Sequence, residues 1–138
     1  MENHCYFYKI SSYFKYIDAC FSNDTTTIEH LIKEKCINIE YALLSGESGL
    51  HIAASRNYKK LAELLIKNQI DINKKDLYGK TALMRAVMYG NFEIVNILLT
   101  QPTIDINETD IYGNTASILG TYNNNYYFKL YKNTNKKI

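Results

Sequence analysis

The chain has 138 residues, with 16 basic and 14 acidic side chains and a formal charge of +2. That length suits one domain in which roughly two thirds of the unfolded surface can be buried, and the near-balanced charge gives no general electrostatic case for nucleic acid. No run of about 18 apolar residues is present, so no membrane span is expected.

The N-terminus, MENHCYFYKISSYFKY, lacks a basic start followed by an apolar core, so no signal peptide is expected. Residues 2–22 read as a helix. Tyr6, Ile10, Tyr13, Phe14, Ile17 and Phe21 recur at spacings of three and four and share one face. Asn23-Asp24-Thr25 is a turn and helix-start signal. The next helix is expected from Thr26 to Glu34, with Ile28, Leu31 and Ile32 pointing inward. From residue 43 the chain repeats itself. Gly46, Ser48, Leu50, Ala53 and Leu65 fall on Gly79, Thr81, Leu83, Ala86 and Leu98, each a step of 33. Gly79 and Thr81 then fall on Gly113 and Thr115, a step of 34, because Pro102-Thr103 carries one extra residue. A fixed period near 33 is the signature of stacked supersecondary units.

The repeated residues resemble the ankyrin repeat. Asp76, Gly79, Thr81, Leu83, Ala86, Gly90, Ile94, Val95, Leu98, Leu99, Asp105 and Asn107 match its pattern, as do Leu50, His51, Ala53, Ala54, Leu61, Leu64, Leu65, Asp71 and Asn73. The resemblance covers about residues 13–122 and implies an all-α solenoid of helix-turn-helix units joined by β-turn loops. A single domain is expected, with repeats at about 13–42, 43–75, 76–109 and 110–132. Residues 1–12 would form an N-terminal helical cap and 133–138 a disordered tail. Helices are expected at about 48–55, 58–67, 81–88 and 91–100. Residues 126–131 would give a last short outer helix packing Phe128 and Tyr131. Tight turns fall at Arg56-Asn57 and Tyr89-Gly90, and β-turns at Gly46, Gly79 and Gly113, where positive φ is needed. Ile39, Ile72 and Ile106 should form a ladder under the loops. The family proline is replaced by Gly49, Ala82 and Ala116, which should cost rigidity at each helix start.

Chemistry is not evident. Tyr-Gly-Lys-Thr at 78–81 lacks the first glycine of a phosphate loop, where Lys74 stands, so Lys80 reads as a solvated loop residue. His51 is given a structural role by the resemblance, bonding backbone and the neighbouring loop. His30 should be exposed. His4 and Cys5 are too few ligands for zinc. Cys5, Cys20 and Cys36 are an odd count without metal-like spacing. They are expected reduced, Cys20 as a small buried hydrophobe, in a cytoplasmic protein. Glu29, Glu34, Glu63 and Glu93 read as a solvated face. Asp76 and Asp110 open β-turns, where a carboxylate bonds the backbone two residues on. No cofactor or metal is expected.

The resemblance implies a non-enzymatic module that binds a protein through a concave groove and its β-turn tips. By position the partner-binding candidates are Leu77, Tyr78, Lys80, Ile111, Tyr112 and Asn114 on the tips, with Leu44, Ser45 and Glu47 on the tip before them. Ser55, Arg56, Met88, Tyr89, Tyr122 and Asn123 follow on the inner-helix surface. Arg85 takes a leucine position. It reads either as a stem lying over the next repeat with its head in water or as a groove anchor. Heavy use of Asn, Ile, Lys and Tyr suggests an AT-rich genome, so a host-directed adaptor or decoy acting in a host cytoplasm is one expectation. A monomer with no nucleic-acid or membrane partner is expected. The alternative is a capping remnant of a longer array that self-associates through its end repeats.

Overall fold

The structure, a computed structural model, describes residues 2–122, with side chains from residue 9 onward. The expected outer helix at 126–131, Asn123, the tail and the side chains of His4 and Cys5 lie outside the described residues. Seven helices follow in order: α1 Glu2–Ser22, α2 Thr25–Lys33, α3 Gly49–Arg56, α4 Lys59–Lys67, α5 Ala82–Met88, α6 Phe92–Leu99 and α7 Ala116–Tyr122. Among the described residues the only β pairing is an isolated bridge between Ala42 and Ser48. The fold is an all-α solenoid of helix-turn-helix units.

Helices α2, α5 and α7 each start on a residue whose side-chain oxygen accepts a hydrogen bond from the first turn. Asp24 Oδ1 accepts from Thr27 N–H at 3.0 Å and from the Thr26 hydroxyl, and Oδ2 takes the Thr27 hydroxyl. These bonds hold the Asp24 carboxyl down at about 2. Thr81 Oγ accepts from Met84 N–H, and Thr115 Oγ from Ile118 N–H. Such caps satisfy amides that the first helical turn leaves unpaired. Asn57 and Gly90 take positive φ at the turns between paired helices, as expected.

Inner helices stack in the order α1, α3, α5, α7 and outer helices in the order α2, α4, α6. Leu50, Leu83, Leu61, Leu65, Ile94 and Leu98 are fully buried between the layers. The isoleucine ladder is best covered at its middle rung. Ile72, with a rung on either side, is buried, whereas Ile39 and Ile106, each with one neighbouring rung among the described residues, are half-buried. Polar bonds repeat with the same period. Tyr58 hydroxyl donates to Phe21 O, and Asn91 Nδ2 donates to Ala54 O, one repeat later. Glu40 Oε1 accepts from Asp71 N–H, and Asn73 Oδ1 accepts from Asp105 N–H.

Candidate interaction surface

Three β-turns project beside the inner helices: the first tip at residues 43–48, the second at 76–81 and the third at 110–115. Each is closed by a glycine N–H. Gly46, Gly79 and Gly113 donate to Leu43, Asp76 and Asp110 carbonyls at 2.8, 2.9 and 3.0 Å, with φ of +79, +72 and +78. Neighbouring tips are joined through the main chain. Leu77 N–H donates to Ser45 O at 2.9 Å and Ile111 N–H to Tyr78 O at 3.1 Å.

The aspartates organise the second and third tips. Asp76 Oδ1 accepts the N–H of Tyr78 and of Lys80, both at 2.9 Å. Asp110 Oδ1 accepts those of Tyr112 and Asn114 at 3.0 and 2.9 Å. Their second oxygens take cations. Asp76 Oδ2 receives the Arg85 guanidinium through Nε and Nη2, and Arg85 Nη1 reaches back to Glu47 Oε1 on the first tip at 2.8 Å. Lys80 Nζ reaches forward to Asp110 Oδ2 at 2.9 Å. Burial pushes both carboxyls up. The cation and the turn amides outweigh it and hold Asp76 and Asp110 below the usual carboxylate range.

Two expectations are corrected here. Lys80 is not a solvated loop residue: its side chain is 14% exposed and its ammonium is paired. Arg85 does not keep its head in water, because Asp76 and Glu47 enclose it. Burial lowers the Arg85 pKa, but the bond to Asp76 and the charges of Glu47 and Asp76 raise it further. Both cations work inside the array. The pairing of Glu47 with Arg85 had no local signal in the sequence, since the partners lie in different repeats.

His51 locks the second repeat to the second tip. Its Nδ1 accepts from Ser48 N–H at 3.1 Å and lies 2.8 Å from Ser48 Oγ, while Nε2 meets Lys80 O at 2.8 Å. A neutral ring protonated on Nε2 satisfies all three contacts. Burial lowers its pKa, and the bond to Lys80 O only partly offsets this.

The remaining candidates divide by exposure. Leu77, Tyr78, Tyr89, Ile111 and Tyr112 are exposed, as are Leu44 and Tyr122. Met88 and Ser55 are half-buried, and Ser55 Oγ is enclosed without a hydrogen-bond partner among the described residues. Arg56 is exposed but stacks over the Phe21 ring at 5.1 Å. Asn114 is half-buried, with its amide 3.5 Å from Asp110 Oδ2. The structure therefore brings together an apolar line, Leu44, Leu77 and Ile111, with Tyr78 and Tyr112 beside it. Among the described residues no cluster of His, Cys, Asp and Glu could hold a metal ion, and no helix is long and apolar enough to cross a membrane.

A family model described as ankyrin repeats, three copies, matches residues 16–110. The chain belongs to the ankyrin-repeat family. Among similar proteins, the E3 ubiquitin-protein ligase XBAT33 of Arabidopsis thaliana is 39% identical over 60 residues, 43% of this chain and 12% of that protein. The ankyrin repeat protein FPV022 of fowlpox virus (strain NVSL) is 33% identical over 91 residues, 63% of this chain and 16% of that protein. The ankyrin repeat protein R96 of Acanthamoeba polyphaga mimivirus is 39% identical over 79 residues, 56% of this chain and 8% of that protein. The chain thus spans a small fraction of the curated relatives it matches. As an ankyrin-repeat chain it is a protein-interaction module.

Proposed function

We propose that this module holds its protein partner on the line of tips, through Leu77, Tyr78, Ile111 and Tyr112, with Tyr89 at the end of α5. The observation that carries this reading is the exposure of these five large side chains on successive tips and the adjoining helix end. Contiguous exposed apolar surface marks interaction sites, and tyrosine is enriched among residues that dominate binding energy. We place the partner in the cytoplasm, in keeping with the free Cys20 and Cys36. A host-directed adaptor is the narrower form of this reading, and the two viral relatives lend it support.

The test is affinity capture from a candidate host or native lysate. Wild type is compared with Tyr78→Ala/Tyr89→Ala/Tyr112→Ala after both are shown to fold by circular dichroism. A protein held by wild type and released by the variant supports the tip surface. Equal capture by both removes it.

A second reading, self-association through the array ends, draws on Ile10 and Phe14, which are exposed one turn apart on α1. Concentration-dependent dimers in sedimentation, abolished by Phe14→Ser, would support it. A monomer at every concentration would dismiss it.

A further inference from the structure

The seat of the second tip on the first runs through a histidine. His51 is 1% exposed, and Ser48, which ends the first tip, is fully buried. The ring accepts Ser48 N–H on Nδ1 at 3.1 Å and meets Lys80 O on the second tip through Nε2 at 2.8 Å. That carbonyl also closes the second tip by accepting Asp76 N–H at 2.9 Å. Two further links cross the same seat, Leu77 N–H to Ser45 O and Arg85 to Glu47. Because Nδ1 accepts here, it holds no proton. A proton placed there would turn toward Ser48 Oγ, 2.8 Å away, and Ser48 N–H would be left buried without an acceptor. The charged ring would also be shut away from water.

The surrounding charges do not make a place for that proton. Glu47 on the first tip and Asp76 on the second favour a protonated ring, but Arg85 on α5 opposes it and already holds both carboxylates. Lys80 commits its ammonium to Asp110. Burial outweighs the two acids, so the folded ring stays neutral below its ordinary 6.5. The seat of the third tip on the second has no such group. The residue 33 positions on from His51 is Met84, which is buried. That seat is closed by Ile111 N–H to Tyr78 O and by Lys80 to Asp110. Asp110, held below 3.8, keeps its charge through mild acid.

We propose that His51 is an acid-sensitive latch: mild acid parts the first tip from the second and leaves the second seated on the third. The ring takes up its proton by leaving Ser48 and Lys80 O for water, so protons favour the parted form. The latch is closed above 6.5 and loses its hold as pH falls below that value. Each pH unit below it favours the parted form by at most about tenfold. The tips can part without the core. Leu44 and Leu77 are exposed, whereas Leu50, Leu65 and Leu83 are buried between the helix layers, and regions with few buried apolar contacts open first. Parting takes Leu44 out of line with Leu77 and so changes the surface assigned above to a partner. The latch itself does not depend on that assignment.

The test is amide hydrogen exchange of the free full chain, read by NMR from about pH 7.5 to about pH 5.5 and corrected for the intrinsic pH dependence of exchange. The Ser48 and Leu77 amides report the seat between the first and second tips. The Ile111 amide reports the seat between the second and third, and the Leu65 amide the helix core. Protection at Ser48 and Leu77 should fall several-fold, up to about tenfold, across that range. Protection at Ile111 and Leu65 should hold. In His51→Gln the fall at Ser48 and Leu77 should vanish. Unchanged protection at Ser48 and Leu77, an equal fall at Ile111 or Leu65, or a fall that persists in His51→Gln overturns the proposal. The comparison of the two seats within wild type decides the matter even if the variant fails to fold. Failure of the protein-binding reading shows separately, as equal capture by wild type and the triple tyrosine variant.

Discussion

Gly49 lies directly under the hydroxyl of Tyr16. A Cβ at position 49 would stand 2.6 Å from that oxygen, which donates to Ile39 O at 2.8 Å. Tyr16 is fully buried, and burial pushes its phenol far up from its ordinary value. The ring cannot swing away at little cost. The glycine is therefore a steric requirement of the α1 to α3 contact. Gly49→Ala should lose about 1–3 kcal/mol in chemical denaturation. In a Tyr16→Phe background the same change should cost less, because the obstructing oxygen is gone. A double-mutant cycle reads that coupling.

Ala82 occupies the same place at the start of α5, where the reasoning reverses. It follows Thr81, whose φ and ψ of −85 and 167 suit a residue before proline. Proline at the first helical position loses no internal hydrogen bond. Ala82→Pro should therefore stabilise by about 0.4–1 kcal/mol. A lowered thermal midpoint would show that the buried site has no room for the ring.

Arg85 links the first and second tips. Asp76, its partner, has a side chain with no solvent exposure. Arg85→Met should leave that carboxylate without its cation and cost about 2–4 kcal/mol, at the lower end for a broken buried pair because Glu47 keeps some solvent. Adding Asp76→Asn should recover part of the loss, since an amide oxygen can still take the two turn amides. Urea titrations of the two variants give both numbers.

Acid should act on the same contact. The folded-state pKa of Asp76 lies below its ordinary 3.8, so its stabilising contribution is complete above 3.8 and is lost as pH falls through the folded value. Asp76→Asn should be less stable than wild type at neutral pH. It should also show a shallower loss of stability below pH 3.8 than wild type does.

His51 gives a separate window. Its folded pKa lies below 6.5, so the unfolded chain binds a proton that the folded chain refuses. Stability is whole above 6.5 and declines as pH falls below it, before the aspartates titrate. His51→Gln should start less stable at neutral pH and lose less between neutral and mildly acidic pH. Parallel curves for the two proteins in that interval would assign the decline elsewhere.

The tip glycines test conformation against crowding. Gly79→Val should cost more than about 1 kcal/mol through positive φ alone. At Gly79 a Cβ also meets Ile111 N at 2.9 Å, whereas none of the described atoms approaches Gly113. Gly79→Ala should therefore destabilise more than Gly113→Ala, although both glycines share nearly the same φ. Equal losses would mean that strain alone governs both sites.

The helices, the turns and their glycines were legible because their signals are local. Apolar spacing, caps and positive-φ residues all sit within a few positions of the element they define. The roles of Asp76, Asp110 and His51 were legible through the repeat pattern, which carries the turn with it. The ends of Lys80 and Arg85 were not. A cation's partner in a stacked array depends on which side chain the neighbouring repeat presents, and no spacing within one repeat records that. Gly49 was legible only as a missing proline, a loss of rigidity. Its actual constraint comes from Tyr16, one repeat earlier. The surface tyrosines were legible by position, since a tip projects whatever residue it carries.

The wiring of Arg85 also bears on how such an array can lengthen. Arg85 needs an acid at the position held by Glu47, and the residue 33 positions later is Lys80. A tandem duplication of residues 76–109 would set the second Arg85 against the first Lys80, cation against cation. The copy would keep every helix and every turn, yet bring a repulsion where the parent has a bond. Growth of this array by copying its best-formed unit therefore requires a charge reversal in the same event or soon after it, so its repeats can diverge more readily than they can multiply.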